Sequence, residues 1–305
     1  MILSLRSCPP DCEGALMVPP QTSVIGLGPM GHPIAATLLA AGAAPTVWNR
    51  TAHRADDLVE AGAHRARTPA EAAAPVILSV LPDVTQLREL LDEGTIAAWG
   101  AAGARLVIMS TSGPDPVREL AQDLAPHGIG VVDAPVSGGV AGAQAGTLSI
   151  MVGGAEQDVA TVLPVLELIG STILHLGELG SGSIAKLCNQ IVVGGTLAAL
   201  AEAFGLARRS GLDVQQLITL LEGGLARSEV LTQKKDKLLE REYSLGGSAD
   251  NQVKDLRYAT DASARAGLPT RLLPALLSLY TETVDQGNGQ QDHTVVQELY
   301  LADRD

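Results

Sequence analysis

Ser23-Val24-Ile25-Gly26-Leu27-Gly28-Pro29-Met30-Gly31 joins a short apolar run to three glycines spaced G-x-G-x-x-G. Ser23–Leu27 reads as a buried strand, and the residues from Met30 to Ala41 read as a helix. A strand, then this spacing, then a helix is the arrangement that holds a dinucleotide. Gly26 permits the tight turn, Gly28 lets the backbone approach a pyrophosphate, and Gly31 allows close packing of helix on strand. The helix opening at Met30 turns free amides and the positive end of its dipole toward the phosphates. Gly26, Gly28, Met30 and Gly31 are therefore candidate cofactor-binding residues.

Working outward, the pattern repeats. Further strand candidates are Pro45–Asn49, Val76–Leu81, Arg105–Met109, Ile129–Asp133, Leu148–Val152 and Thr172–Leu176. Several are continuous apolar runs, such as Val76-Ile77-Leu78, as expected of strands covered on both faces. Helical stretches at Ala52–Ala61, Thr68–Ala74 and Val117–Leu124 fall between them, and Thr68 with Glu71 has the spacing of a capping box. Alternation of this kind predicts a mostly parallel, doubly wound α/β sheet, a Rossmann-type domain. After Gly182 only helices are expected, over Ser183–Arg209, Val214–Glu222, Glu229–Glu240, Gln252–Ala266, Pro269–Asp285 and Asp292–Leu301. The organisation read from this is a Pro-rich disordered leader over 1–21, a nucleotide domain over 22–181 and an all-helical domain over 182–305 that completes the site.

The end of the second strand selects the dinucleotide. It runs Val47-Trp48-Asn49-Arg50-Thr51, with His53 and Arg54 one turn on. An acidic residue there would suit the ribose hydroxyls of NAD, whereas a guanidinium suits the 2′-phosphate of NADP. Arg50 as the phosphate partner, with Asn49 and Thr51 as neutral donors, predicts NADP(H).

The chain has 305 residues and a net charge of −13. That balance argues against nucleic acid, because phosphate backbones demand clustered Lys and Arg. Only one Phe, two Trp and four Tyr are present, so the cores must rest on aliphatic side chains. Cys8, Cys12 and Cys188 form no framework, which suits a reducing, cytoplasmic setting. The leader does not read as a signal peptide, and apolar runs are interrupted by Gly or polar residues before reaching membrane-spanning length.

Two segments carry candidate chemistry. Asp133-Ala134-Pro135-Val136-Ser137-Gly138-Gly139 leads from a strand into small residues, where a hydroxyl and open amides can meet a carboxylate. Lys186 lies one turn into the long helix, flanked by Ile184, Ala185, Leu187 and Cys188. Asn189 and Gln190 share its face. Apolar surroundings lower a lysine's pKa toward values useful for acid–base work. Taken alone, the first segment also fits a plain loop and the second a structural lysine.

The ordered set of motifs resembles the β-hydroxyacid dehydrogenase family. It rests on Val24 to Gly31, Leu81-Pro82, Ser110-Thr111, Asp133 to Gly139, Gly146-Thr147-Leu148, Gly180 to Asn189, Lys254-Asp255-Leu256, and the late Gly287 and Asp292. The resemblance implies that Lys186 exchanges a proton with the substrate carbonyl. It implies that Ser137, Gly138 and Gly139 bind the carboxylate of a small aldehyde or hydroxy acid, and that Asn189 or Gln190 orients it. Lys254 would close the site near the nicotinamide, Asp255 would help fix its helix, and Leu81, Pro82, Ser110 and Thr111 would line the cofactor. It also implies a homodimer or homotetramer. Within the family, Lys186-Leu187-Cys188-Asn189-Gln190 and Gly223-Gly224-Leu225-Ala226 look like the tartronate semialdehyde reductase branch. The alternatives are 3-hydroxyisobutyrate dehydrogenase and glyoxylate/succinic semialdehyde reductase, or further off an imine reductase-like enzyme or an idle NADPH-binding protein. Two departures stand out. Ile108-Met109 precedes Ser110 where the family often has Asp, and Gly246-Gly247-Ser248-Ala249 lacks the bulky residues common ahead of Lys254. The second predicts a mobile segment and a roomier pocket.

Overall fold

The computed structural model describes residues 20–244 and 246–301. All but the last two residues of the leader, Cys8 and Cys12 included, lie outside the described residues. Six short strands, β1 (Thr22–Ile25), β2 (Thr46–Trp48), β3 (His64–Arg65), β4 (Val76–Ser79), β5 (Arg105–Ile108) and β6 (Gly130–Asp133), form a parallel sheet in the order β3-β2-β1-β4-β5-β6. The order reverses between β1 and β4, which opens a crevice at the carboxyl ends of the strands.

Strand residues alternate between the two faces, and each face has its own aliphatic core. Val24, Val47, Leu78 and Val107 pack with α1 (Gly31–Ala40) and α7 (Glu156–Leu166). Ile25, Trp48, Ile77 and Leu106 pack with α4 (Glu93–Ala101) and α5 (Pro114–Leu124), where Trp99 is fully enclosed. The shorter helices α2 (Asp56–Glu60), α3 (Val84–Arg88) and α6 (Gly139–Ala145) fill the connections. The capping box at Thr68 is incomplete. The Thr68 hydroxyl accepts the Glu71 N–H at 3.2 Å, but the Glu71 carboxylate takes the Arg67 N–H, and only a 3₁₀ turn, Ala70–Ala72, forms before Pro75. A residue preceding proline is steered out of the helical region.

The doubly wound sheet is shorter than expected. Leu148–Val152 (β8) and Gly170–His175 (β9) belong to a second sheet with β7 (Val136–Ser137), in the order β7-β8-β9. Only two residues, Ala134-Pro135, separate β6 from β7. That is too short for a parallel crossover, and Pro135 has no N–H to give to a ladder. A single bridge, Asp133 to Gly153, joins the sheets.

Beyond His175 the described residues form helices joined by turns and loops, with no strand and one bridge, Ser248 to Asp292. The helices are α8 (Ser181–Arg209), α9 (Val214–Glu222), α10 (Glu229–Glu240), α11 (Ala249–Arg265), α12 (Leu272–Thr283) and α13 (Glu298–Leu301), with a 3₁₀ segment His293–Gln297 before α13. α8 is long and apolar enough by length and mean composition to cross a membrane, but Gly and polar residues interrupt it as read, and it packs as a core helix. Its glycines serve packing. A Cβ at Gly194 would fall 2.5 Å from the Gln252 amide, so that glycine admits α11 against α8. Leu187, Ala198, Ala201, Leu256 and Tyr280 enclose the core between α8, α11 and α12.

Candidate active site

The glycine loop lies between β1 and α1, at the switch point. Gly26 has φ +93°, and a Cβ there would meet the Val80 carbonyl oxygen at 2.7 Å. A Cβ on Gly31 would overlap the Gly26 carbonyl, whereas one on Gly28 meets nothing within 4 Å. Gly26 and Gly31 are thus spent on the turn and on packing. Gly28 keeps open the space that a pyrophosphate needs. Asn49 holds the loop: its Oδ1 accepts the Leu27 N–H at 2.9 Å, and its Nδ2 donates to the Thr51 carbonyl at 3.0 Å. The amide expected to serve the ribose phosphate is therefore committed to the protein. Arg50, at the same strand end, is exposed and has no ion pair among the described residues. Leu81 packs against Gly26, Pro82 follows it exposed, and Ser110 is buried with its hydroxyl 3.4 Å from that of Ser112. All these segments sit at the carboxyl ends of β1, β2, β4 and β5, and together they fit a nicotinamide dinucleotide.

Asp133, at the end of β6, turns the next part of the chain onto this edge. Its buried carboxylate accepts the Gly180 N–H at 2.8 Å and the Ser183 N–H at 2.6 Å, at the first turn of α8. Burial raises its pKa, and these amide donors oppose the rise. Gly182 has no side chain because the Met151 and Asp133 carbonyls occupy that space. One turn on, Lys186 is 8% exposed and 3.4 Å from Asn189 Oδ1. Burial lowers its pKa to about 8, with the Lys254 charge adding to the fall and Asp255 opposing it. Ser137 ends β7, and Gly138 and Gly139, at φ +125° and +63°, turn the chain into α6. The expected open loop is therefore a strand end followed by a helix.

α11 supplies the remaining groups. Lys254 donates to the Thr111 carbonyl and lies 3.0 Å from Asp255 Oδ1 and 3.9 Å from Asp83 Oδ2. Asp255 is buried, and desolvation pushes its carboxyl up while both lysines pull it down. Gln190 donates to Asp255 Oδ2 at 2.6 Å, so of the two candidates for orienting substrate only Asn189 faces Lys186. Tyr258 donates to Asp83 Oδ2 at 2.8 Å, and its ring lies 5.6 Å from the Lys254 ammonium. Asp83 and Tyr258 had escaped sequence reading. Asp83 is visible there only as a helix cap, and nothing in the order of residues places Tyr258 beside it.

The segment ahead of α11, expected to be loose, makes contacts at several points. Gly246 leaves no room for a Cβ against the Asp292 carboxylate, the Gly247 carbonyl accepts the His293 N–H at 2.7 Å, and the Ser248 hydroxyl caps α11 by accepting the Asn251 N–H at 3.2 Å. Asp292 in turn takes the Lys234 ammonium at 2.7 Å.

Comparison with known proteins agrees with this architecture. Residues 21–177 match the family described as the NAD binding domain of 6-phosphogluconate dehydrogenase, and residues 180–300 match that described as NAD-binding of NADP-dependent 3-hydroxyisobutyrate dehydrogenase. A 3-hydroxyisobutyrate dehydrogenase of Pseudomonas aeruginosa is 42% identical over 291 residues, covering 90% of this chain and 97% of that protein. An NAD-dependent L-serine dehydrogenase of the same organism is 35% identical over 290 residues, covering 92% and 97%. The crystal structure of 3-hydroxyisobutyrate dehydrogenase from Salmonella typhimurium superposes with a TM-score of 0.86 at 25% identity, covering 92% of this chain and 99% of that one. Fold and relatives together define an NAD(P)-binding oxidoreductase of the hydroxyacid dehydrogenase type. The chain belongs to the β-hydroxyacid dehydrogenase family.

Proposed function

We propose that the chain is an NADP(H)-dependent reductase interconverting a small semialdehyde or oxo acid and its hydroxy acid, with tartronate semialdehyde as the leading substrate. The observation that carries this reading is Lys186: buried, with a pKa near 8, beside Asn189 and within reach of the Lys254 and Asp255 charges. The bound nicotinamide supplies or accepts the hydride. Lys186 donates a proton to the carbonyl oxygen during reduction and takes it back in the reverse direction. The Ser137 hydroxyl and the backbone at Gly138 and Gly139 receive the carboxylate, Asn189 orients the substrate, and Lys254 closes the site over Thr111. Arg50 receives the 2′-phosphate. The motifs around Lys186 and Gly223 favour tartronate semialdehyde, while the 42% identical relative favours 3-hydroxyisobutyrate dehydrogenase as the second reading. The assembly is proposed to be a cytoplasmic homodimer or homotetramer. Ile184, Val192 and Leu206, exposed on one arc of α8, support self-association, and the free thiol of Cys188 suits a reducing compartment.

The test is a panel of tartronate, methylmalonate and succinate semialdehydes, each assayed with NADPH and NADH. Highest kcat/KM for tartronate semialdehyde with NADPH is expected. Preference for methylmalonate semialdehyde would transfer the assignment to the second reading, and no turnover of any aldehyde would remove both.

A further inference from the structure

Gln190 lies one turn after Lys186 on α8, and its side chain crosses to α11. Its Nε2 donates to Asp255 Oδ2 at 2.6 Å, and its backbone carbonyl accepts the Gln252 amide at 3.3 Å. Asp255 is only 4% exposed. Its other oxygen, Oδ1, takes no aligned hydrogen bond among the described residues, although the Lys254 ammonium stands 3.0 Å away. Gln190 is therefore the one aligned side-chain donor, among the described residues, to a carboxylate cut off from water. Burial pushes the Asp255 carboxyl up, while the charges of Lys254 and Lys186 and the Gln190 amide hold it down. The same carboxylate supplies the attraction that Lys186 feels against burial and the repulsion of Lys254. The other ionisable groups around this seam are engaged or neutral. The Gly180 and Ser183 amides donate to Asp133, Tyr258 donates to Asp83, and burial keeps His293 neutral by lowering its pKa to about 4.

We propose that Gln190 is a positioning residue that acts on Lys186 through Asp255, holding that carboxylate where both lysines feel its charge, and not by contact with the substrate. This rests on the reading of Lys186 as the proton donor of a semialdehyde reductase. A buried carboxylate deprived of its donor keeps its desolvation cost and loses what offset it, so it takes up a proton or turns away. Either change leaves Lys186 facing the Lys254 charge without its counter-charge, and the protonated amine becomes harder to keep. An asparagine at 190 would fall one methylene short of the same oxygen.

The experiment records pH profiles of kcat/KM for reduction with NADPH, using whichever of tartronate and methylmalonate semialdehydes the wild type reduces faster. It compares wild type, Gln190→Leu, Gln190→Asn, Asp255→Asn, and Gln190→Leu combined with Asp255→Asn, with NADPH titrations alongside. In the wild type the rate should fall as pH rises through about 8. Each single change at 190 should move that fall to lower pH by about one pH unit, the smaller end of what an opposite charge contributes. The loss is then about fivefold at about pH 8 and slight at about pH 6, where KM should stay near the wild-type value. Asp255→Asn should move the fall in the same direction, and adding Gln190→Leu to it should move it no further. A rise in KM with the profile unmoved would make Gln190 a substrate contact and overturn the proposal. An unmoved profile with unchanged KM, a further shift in the double variant, or loss of NADPH binding in both variants at 190 would overturn it too, and each leaves the reductase reading standing. A wild type that reduces neither aldehyde, or whose rate does not change near pH 8, removes the reading of Lys186 and this inference with it.

Discussion

Lys186 stands where a charge is costly. Its ammonium is buried on α8, and only the nearby Asp255 charge offsets the desolvation that brings its pKa to about 8. A lysine in that range gives up its proton easily and regains it at neutral pH. Lys186→Ala is expected to lower kcat/KM by about 10²–10⁴, the usual worth of a positioned general acid, with NADPH affinity nearly intact. The pH dependence follows from the sign of the shift. Reduction needs the protonated amine, so its kcat/KM should fall as pH rises through about 8, while oxidation needs the free amine and should rise over the same interval. Rate profiles in both directions check this, and a pair of profiles flat across that interval would exclude Lys186 as the proton donor. Arg50 offers an equally local test. Exposed and without an ion pair among the described residues, it is free to meet a phosphate. A charge-assisted contact contributes on the order of 1.5–3 kcal/mol, so Arg50→Ala should reduce the NADPH-over-NADH preference by about one to two decades. Equal efficiency with both cofactors in the wild type would refute the assignment.

Across the loop between β1 and α1, glycines of one motif have different physical duties. Gly31 is glycine because backbone already fills the place of its Cβ, and the Gly26 carbonyl cannot retreat without undoing the turn. Gly28 has no such neighbour. Gly31→Ala should therefore destabilise the fold by about 1–3 kcal/mol, the usual cost of overpacking, and weaken cofactor binding with it. Gly28→Ala should leave the melting temperature within a degree or two while weakening NADPH binding at least about tenfold, because the methyl group occupies the pyrophosphate's path. Thermal melts and cofactor titrations of both variants separate the two roles.

At the scale of the molecule, α11 joins the helical part to the cofactor edge. Lys254 reaches Thr111, Tyr258 reaches Asp83, and Arg265 pairs with Asp115, so three side chains of one helix hold the loops after β4 and β5 and the first turn of α5. Tyr258→Phe removes a hydrogen bond to a carboxylate and keeps the ring against Gly113. A loss of about 1–2 kcal/mol in stability is expected, because a partly buried bond to a charged group is worth somewhat more than a neutral one. A rise in KM of a few fold should accompany it as Lys254 loosens. Denaturant melts and steady-state kinetics of the variant measure both effects, and unchanged values would show that the contact does not hold the two parts together.

Local order along the chain was enough for much of this. The glycine spacing after Val24-Ile25, the apolar runs of β4 and β5, and the unbroken periodicity of α8 depend on neighbours within a turn or two. So do the switch from strands to helices and the placement of Lys186, Asn189 and Gln190 on one face. Tertiary structure decided what depends on distant partners. Asp133 became the anchor of α8 only because β6 and Gly180 converge, and Asn49 was drawn to the Leu27 amide 22 residues away. The second sheet formed because Pro135 ended the first, and its β8 alternates in burial and its β9 is largely exposed, unlike β1 and β4, which are buried throughout. Tyr258 met Asp83 across 175 residues, and His293 lay over Gly247 because Asp292 and Ser248 bridge their backbones. Side-chain chemistry and short-range periodicity are written residue by residue, but burial and pairing are properties of the packed chain.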